Sequence, residues 1–359
     1  MEALFYIGIS QSLFGGVMMA LKKPNHLSDR ILSAWLFFIT MHLGFAFLNH
    51  TYQITSITFI VFVYGPLLYV YCRSLISDKP VFKNKYWLHF IPLLFSLIIA
   101  FLFREPRVFD LDSFFVRDSF FILRIIYAIM ILASVLGYSI IAFVLINQHQ
   151  HNLKEHFSFT SEKITLGWLK FVAISFGVFY LIIICIGIID VLSPDSRVDV
   201  YIASYFVLAF YAFTFSIFGY QQARIYPDEK QIQKKKYLRS GLKTDDAELY
   251  LQALLKLMEK EKPYLNGDLN INHIAEKLHI SRHYLTQIIN EKLKKNFYTF
   301  VNEYRVDAVK IMLLNNKYHN YTLTSIGYEC GFNSKSSFHS VFKMFTGYTP
   351  SKYKTVNKQ

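Results

Sequence analysis

Apolar residues are distributed along this chain in two different patterns, which meet near residue 220. Before that point they form seven long, nearly uninterrupted stretches, at 3–21, 31–48, 54–72, 86–103, 119–146, 168–192 and 199–220. About 20 apolar residues, each rising ~1.5 Å, cross the ~30 Å hydrocarbon layer of a bilayer as one helix. The pattern therefore predicts a bundle of seven transmembrane helices. Because the second and fourth stretches are short, this count is defined to within about one span.

After residue 220 the apolar residues recur in short runs, three or four positions apart, between polar residues. The first such run contains Leu251, Leu254, Leu255 and Met258. This spacing predicts amphipathic helices that pack around a small core. The whole chain is thus predicted to be all-α, with a transmembrane domain (1–220), a basic juxtamembrane linker (221–243) and a C-terminal helical domain (244–359).

Composition and charge support this division. A hydrophobic content of 53% is too high for an ordinary soluble protein. Residues 1–220 carry 15 Lys or Arg and 12 Asp or Glu, whereas residues 221–359 carry 23 and 13, a net charge of +10. This excess indicates an anionic partner for the second part, either nucleic acid or a lipid surface. The linker cluster of Lys234, Lys235, Lys236 and Arg239 favours anionic lipid close to a membrane.

The loops between the apolar stretches predict the orientation of the bundle. If the N-terminus lies outside, the inside loops hold nine Lys or Arg and the outside loops hold four. The inside loops are 22–30, 73–85 and 147–167, and the outside loops are 49–53, 104–118 and 193–198. Cytoplasmic loops are enriched in Lys and Arg. We therefore expect a multi-pass membrane protein whose C-terminal domain lies in the cytoplasm, where DNA is.

Two ionisable residues lie within predicted spans, Arg124 in the fifth and Asp190 in the sixth. Both are near the outer ends of their spans, so their depths match. Intramembrane charges are costly and often functional, and we therefore hypothesise that the two form a sensing pair. A structural ion pair or interfacial snorkelling is the alternative. The three cysteines are far apart and have no metal-ligand spacing, so we expect no metal site. The apolar stretches contain no G-x-G-D pair, no H-E-x-x-H pair and no cluster of carboxylates, and the chain has no nucleotide-binding loop, so we expect no cofactor and no enzymatic activity.

The segment "IAEKLHISRHYLTQIIN", Ile274 to Asn290, has the pattern of a helix-turn-helix. A short helix ends before "HIS", and Ser281 is a good N-cap for the next helix. That helix has its apolar residues three or four positions apart, at Leu285, Ile288 and Ile289. Its other face is polar, as a helix that reads base edges requires.

The pattern recurs 52 residues later in "TLTSIGYECGFNSKSSFHSVFKMF". Gly327 follows Ile326 as Ala275 follows Ile274, and Asn333 or Ser334 is expected to cap the second helix. After a one-residue insertion, Phe338, Val341 and Phe342 parallel Leu285, Ile288 and Ile289. Between the copies, "FYTFVNEYRVDAVKIMLLN" predicts one long helix that holds two reading heads at a fixed separation.

Over about 250–356 the sequence resembles the C-terminal DNA-binding domain of the AraC/XylS family of bacterial transcription regulators. Two helix-turn-helix copies, a linking helix and the ending "IGYECGFNSKSSFHSVFKMFTGYTPSKYK" carry the resemblance. Two positions depart from the family pattern. Lys294 stands at a turn where the family usually has Gly, and Gly327 stands where it usually has Ala. A left-handed backbone at Lys294 would cost about 1 kcal/mol.

The resemblance implies that two recognition helices enter successive major grooves on one face of the duplex. It places the base contacts at His283, Thr286, Gln287, Lys335, Ser336, His339 and Ser340. Arg282, Lys292 and Lys343 are the candidates for phosphate contacts, which position the protein without specifying sequence. The alternative for any one of these side chains is a solvated surface residue.

The N-terminal part looks like the seven-span sensor halves that are fused to such domains in some bacteria. The sequence thus predicts a regulator in the bacterial inner membrane that binds double-stranded DNA and senses a small-molecule or membrane-derived signal. Homodimerisation and proteolytic release are both open as output routes. The alternative function is a membrane transporter or enzyme that carries a regulatory DNA-binding tail.

Overall fold

The protein is described by a computed structural model that covers residues 2–52, 60–77, 82–103, 117–159, 162–192, 200–222 and 244–357. The described residues form two compact units. The first unit comprises the described parts of 1–148 and 166–228. The second comprises the described parts of 149–165 and 229–359. The basic cluster of the predicted linker lies outside the described residues.

Apolar helices form the first unit. Its helices are α1 (Glu2–Leu21), α2 (Leu27–Tyr52), α3 (Val61–Ile76), a 3-10 segment (Asn84–Phe90) that leads into α4 (Ile91–Phe103), α5 (Phe121–His156), α7 (Gly167–Leu192) and α8 (Val200–Thr214), which ends in a π-helical segment (Phe215–Gly219). The last residues of α5, from His149, group with the second unit. Each predicted apolar stretch overlaps one of these helices.

Within the described residues, five helices are long and apolar enough to cross a membrane. They are α1, α2, α5, and stretches of α7 and α8 that end at Ile186 and Gly219. The other two predicted spans are shorter as helices, because α3 has 16 residues and α4 has 13. Many large apolar side chains of this unit face outward. Leu102 and Ile122, for example, are 68% and 72% exposed.

The end of α8 is held by a group of polar side chains. Lys22 donates through Nζ to the Asp29 carboxylate at 3.0 Å and to the carbonyl oxygen of Gln222 at 2.9 Å. Trp168 donates through Nε1 to Oε1 of Gln222 at 2.9 Å. Asp29 is buried, so its charge needs the paired ammonium group. This polar group therefore ties the α1–α2 turn to the point where the last apolar helix ends.

Arg124 has a partner other than the one hypothesised from the sequence. Its Nη2 donates to Oδ1 of Asp118 at 2.7 Å, and Arg124 is buried. Asp118 precedes α5 by three residues, so the ion pair is local. The side chain of Asp190 lies outside the described residues, and the sensing pair stays a hypothesis.

Within the described residues, ten elements lie in the second unit besides the end of α5. They are α6 (Glu162–Thr165), α9 (Thr244–Lys260), a 3-10 turn (Pro263–Leu265), α10 (Ile271–Lys277), α11 (Arg282–Lys292), α12 (Phe297–Leu314), α13 (Leu323–Glu329), α14 (Lys335–Thr346) and α15 (Pro350–Val356), with a further 3-10 turn at Asn316–Tyr318. The described residues contain one isolated antiparallel bridge and no longer strand pairing, so the predicted all-α fold is confirmed.

Two hydrophobic cores lie in this unit, and α12 contributes to both. Its first half places Phe297, Phe300 and Val301 in a core with α9, α10 and α11. Its second half places Val306 and Val309 in a core with α13 and α14. Each helix-turn-helix copy thus packs on one half of the linking helix. The predicted arrangement of two copies on one long helix is confirmed.

The two cores use side chains of different size at the contact between the two helices of each copy. In the first copy Ala275 and Leu285 are both buried. At the equivalent positions of the second copy stand Gly327 and Phe338. A Cβ on Gly327 would lie 2.8 Å from the Phe338 ring, which is closer than packed atoms approach. The departure from Ala at this position is therefore required by the larger aromatic neighbour.

We expect Gly327→Ala to destabilise the second unit. Overpacking against the ring costs about 1–3 kcal/mol, and the better helix propensity of Ala recovers less than about 1 kcal/mol. The double variant Gly327→Ala/Phe338→Leu should regain most of the loss, because it reproduces the pair of the first copy. Urea-dependent proteolysis of the second unit in the full chain measures both. A single variant as stable as the parent would contradict this account.

Candidate nucleic-acid interface

Side-chain caps fix where each reading helix begins. Ser281 Oγ accepts from the backbone N–H of Tyr284 at 3.2 Å at the start of α11. Ser334 Oγ accepts from the backbone N–H of Ser337 at 3.1 Å at the start of α14. Of the two expected caps for the second helix, the structure therefore selects Ser334. A cap satisfies backbone donors that a helix start leaves free.

The turns of the two copies have the same hydrogen bonds. In the first copy the N–H of Ile280 donates to the carbonyl of Ala275 at 3.0 Å, and in the second the N–H of Phe332 donates to the carbonyl of Gly327 at 3.0 Å. The residue before each donor is left-handed, with φ of 55° at His279 and 87° at Gly331. The repeat seen in the sequence is thus a repeat of backbone geometry.

The closing G-x-T-P motif also has a local physical explanation. Gly347 ends α14 in a left-handed conformation, with φ of 76°. Thr349 then caps α15 by accepting from the N–H of Lys352. Pro350 occupies the first turn of α15, where its missing N–H is not needed. Each residue of the motif therefore stops one helix or starts the next.

On α11 the predicted base-contact residues lie on the side away from the core. His283 is exposed, and Thr286 and Gln287 are partly exposed. Gln287 donates through Nε2 to Glu291 at 3.0 Å, and the Thr286 hydroxyl donates to the carbonyl of Arg282. Asn290 continues the same stripe, one turn further along the helix. The donors and acceptors of this stripe are of the kind that pairs with base edges in a major groove.

On α14 the predicted residues again face away from the core. Lys335, Ser336 and Ser340 are exposed, whereas His339 is half-buried with its ring 5.1 Å from the Phe338 ring. Lys335 stands at the first position of the helix, where a recognition helix meets base edges. Ser336 is close to the cap, with its hydroxyl 3.2 Å from that of Ser334. The structure therefore brings together the predicted set on this helix.

The three phosphate candidates lie at different places around the two reading helices. Arg282 begins α11 and is partly exposed. Lys292 ends α11, is exposed, and lies 3.8 Å from the carboxylate of Glu248. Lys343 is exposed in the last part of α14. These cations lie on the same two helices as the proposed base contacts, so they can bind the phosphates that flank a groove.

Lys294, which stands where the family usually has Gly, has a left-handed backbone, with φ of 55°. The turn follows the end of α11, where the N–H of Lys295 donates to the carbonyl of Ile289. Such a helix end usually carries Gly. Lys294 is exposed, so the cost is conformational and not steric.

Sequence reasoning missed the most highly bonded side chain of the unit, Arg305. It is 1% exposed and lies in α12 at the boundary between the two cores. Its Nε donates to the carbonyl of Tyr264 at 2.8 Å, and its Nη2 donates to the carbonyl of Asn266 at 2.8 Å. Its guanidinium carbon is 5.8 Å from the centre of the Phe332 ring. Arg305 thus contacts the turn before the first copy and the turn within the second.

Burial lowers the pKa of Arg305 to about 10, because the charged form is removed from water. The group therefore stays protonated at neutral pH and keeps all of its donors.

Burial also raises the pKa of the Cys330 thiol to about 12, so this cysteine is a neutral core residue. Among the described residues, no three His, Cys, Asp or Glu side chains come together as a metal site.

Comparison with known proteins finds a helix-turn-helix domain in the C-terminal part of the chain. A family model described as "Helix-turn-helix domain" matches residues 274–355. The chain is 34% identical over 94 residues to an uncharacterized HTH-type transcriptional regulator in the cgkA 5′ region of Pseudoalteromonas carrageenovora. It is 32% identical over 91 residues to an uncharacterized HTH-type transcriptional regulator of Staphylococcus aureus strain COL.

These similarities cover a limited part of the chain. They span 26% of this chain and 53% of the Pseudoalteromonas protein, and 25% of this chain and 12% of the Staphylococcus protein. A solved structure of a Listeria innocua protein of unknown function is 26% identical, with a TM-score of 0.27 over 30% of this chain and 95% of that one. The relatives support DNA-binding regulation by the residues matched.

The left-handed turn residues generate a testable difference between the copies. A Cβ on Gly331 would lie 2.3 Å from the carbonyl oxygen of Tyr264, a backbone atom that cannot move aside. We expect Gly331→Ala to lower the free energy of unfolding by more than about 2 kcal/mol. His279→Gly, at the matching turn, should change it by at most about 1 kcal/mol. Equal effects in urea-dependent proteolysis would refute the distinction.

Proposed function

We propose that this protein is a membrane-embedded transcription regulator that binds DNA sequence-specifically through its two helix-turn-helix copies. The observation that carries the proposal is the pair of capped helices, α11 and α14, mounted on one linking helix with their polar faces outward. Each reading helix would enter a major groove and present its polar stripe to base edges. The high positive charge of this part of the chain supplies the sequence-independent part of the affinity.

The specific base contacts are part of the proposal. Gln287 suits adenine and Lys335 suits guanine, because their donor and acceptor geometry fits those bases in the major groove. His283, Thr286, Ser336, His339 and Ser340 complete the base-contact set. Arg282, Lys292 and Lys343 would bind phosphates.

Placement of the first unit in a membrane is supported by its outward-facing apolar side chains. Five described helices have the required length and hydropathy. Side chains as apolar and exposed as Leu102 and Ile122 would be costly in water. A bilayer would cover this surface, and the inner membrane of a bacterium is the location that fits a DNA-binding tail.

The contacts of the stretch 149–165 support the placement of this loop and the C-terminal tail on the same side of the membrane. In the seven-span arrangement with the N-terminus outside, the loop 147–167 and the C-terminal tail lie on the same side. Ser158 in this loop accepts a hydrogen bond from Arg305 in the tail at 2.8 Å. Such a contact requires both to be on one side of the membrane.

Sensing is proposed for the first unit because it is joined to a regulator domain. The signal would be a small molecule or a membrane-derived change. The buried Arg124, paired with Asp118, lies at one end of α5 and is a place to examine for such a response. The output would run through homodimerisation, or through proteolysis that frees the second unit.

Two lysine substitutions should separate base reading from phosphate binding. We expect Lys335→Ala to cost about 1–3 kcal/mol of binding and to relax preference at one base position. Lys343→Ala should weaken binding to all sequences and reduce the salt slope by about one. The full-length protein in nanodiscs, with sites selected from genomic DNA, gives both readouts. Lys310→Ala is the control, since Lys310 pairs with Asp307 on the linking helix. Binding that salt does not weaken would refute the proposal.

Reporter fusions test the orientation. A fluorescent protein fused after Asn357 should fluoresce in cells, because it would fold in the cytoplasm. Alkaline phosphatase at the same position should be inactive. Active phosphatase there, or a chain that washes from vesicles as a soluble protein, would contradict the membrane topology.

A further inference from the structure

Ser158 is bound through every polar atom it has. Its backbone N–H and its hydroxyl both donate to the carbonyl of Leu269, at 3.3 and 2.6 Å. Its carbonyl accepts from Nη1 of Arg305 at 2.8 Å and from Nδ2 of Asn302 at 3.0 Å. Its Oγ accepts from Nη2 of Arg305 at 3.0 Å. Ser158 and both of these α12 partners are 1% exposed. One buried serine thus forms five hydrogen bonds, which is more than a surface contact of a solvated loop would provide.

The residues around Ser158 extend this contact. Phe157 forms an isolated antiparallel bridge with Asn270, the residue that caps α10. Glu155 accepts through Oε2 from Nδ2 of Asn290 on α11, at 3.2 Å. Leu153 and Phe157 are 3% and 6% exposed. The stretch Leu153–Phe159, named here the docking segment, therefore touches the start of α10, Asn290 near the end of α11, and the middle of α12.

Arg305 depends on the docking segment for part of its hydrogen bonding. In the turn before α10, the carbonyl of Tyr264 accepts from Nε and the carbonyl of Asn266 accepts from Nη2. Ser158 accepts from Nη1 and provides a second acceptor for Nη2. A buried guanidinium that loses acceptors carries a large penalty, because its N–H groups are not solvated. Removing the segment would therefore leave a buried cation partly unpaired.

The docking segment begins within α5, the helix Phe121–His156. That helix has 36 residues, and its residues up to 148 group with the first unit. A continuous helix transmits displacement along its length, since its backbone hydrogen bonds resist bending. The chain therefore passes from the first unit to the second within this helix, and it does so again at the predicted linker 221–243.

We propose that the docking segment is an intramolecular interaction surface, by which the end of α5 holds the DNA-binding unit at Arg305. Its partner is the seam between the first helix-turn-helix copy and α12. This gives the unit a second attachment, independent of the linker. Movement of α5 reaches both copies through it, because Arg305 contacts the turn before the first copy and the turn within the second. The release assay below rests on the proposed function, because it requires the first unit to lie in a membrane. The contact itself requires neither a membrane nor DNA.

A release assay on the full chain measures the attachment. A protease site is inserted between Arg239 and Thr244, so that the basic cluster stays with the membrane part. After cleavage in vesicles, the C-terminal piece of the parent should stay on the membrane. Ser158→Ala removes two of the five bonds, and we expect it to speed release about tenfold. Asn152→Ala is the matched control, because Asn152 is exposed just before the docking segment. Immediate release of the parent piece, or equal rates for Ser158→Ala and the parent, would overturn the proposal.

A cysteine pair gives a test that leaves Ser158 and Arg305 intact. Glu155→Cys and Asn290→Cys are combined in a chain whose own three cysteines are replaced by Ala. A short bis-maleimide, which can bridge the gap left by the two shortened side chains, followed by cleavage at the inserted site, should leave the two pieces joined. Each single-cysteine variant should separate into two pieces. Failure of the pair to cross-link would count against docking even if Ser158→Ala does not fold.

These assays distinguish the docking proposal from the proposed function. Neither assay contains DNA, so a chain that binds no promoter can still show cross-linking. Cross-linking is also read in detergent, so it does not depend on membrane placement. A positive cross-link with no DNA binding would refute the regulator proposal alone.

Discussion

A buried positive charge organises the second unit. The Arg305 guanidinium has five N–H donors in a fixed plane, and water cannot satisfy them where it lies. Carbonyl groups from the turn before α10 and from Ser158 must therefore converge on it. Neither of these two segments is next to α12 in the sequence. The need to pair one cation thus sets where distant parts of the chain meet.

The two helix-turn-helix copies share their backbone geometry but differ in the side chains of their cores. Both turns have a left-handed residue and the same pair of backbone hydrogen bonds. The cores differ, with a small–large pair of Gly327 and Phe338 where the first copy has Ala275 and Leu285. The total volume at the contact is roughly kept, which is how cores tolerate substitution. The same backbone geometry is thus compatible with two different sets of core side chains.

The sequence alone predicts the helical elements, the tandem copies and Ser281 as a cap, because these depend on local periodicity and on residue types with strong positional preferences. It does not predict that 149–165 joins the second unit, since that contact is long-range and its residues look like an ordinary polar loop. Arg305 did give a signal. It occupies one place in the series Phe297, Val301, Arg305, Val309 and Leu313, in which every fourth residue is otherwise apolar. A charge in such a series indicates a buried pairing site. The ion pair of Arg124 with Asp118 was not predicted, because Asp118 falls in the predicted outer loop 104–118 and not within the fifth span.

The linking helix α12 belongs to both cores, and this has a consequence for the promoters such a protein can use. A helix of 18 residues is ~27 Å long and does not stretch, so α12 fixes the separation of the two helix-turn-helix copies. Sequence variation inside either half-site would then change affinity by degrees. Insertion or deletion of even one or two base pairs in the spacer would rotate one half-site around the duplex, away from the head that reads it. The DNA sites of this protein should therefore tolerate changes of base within a half-site far more readily than changes in the number of base pairs between the half-sites.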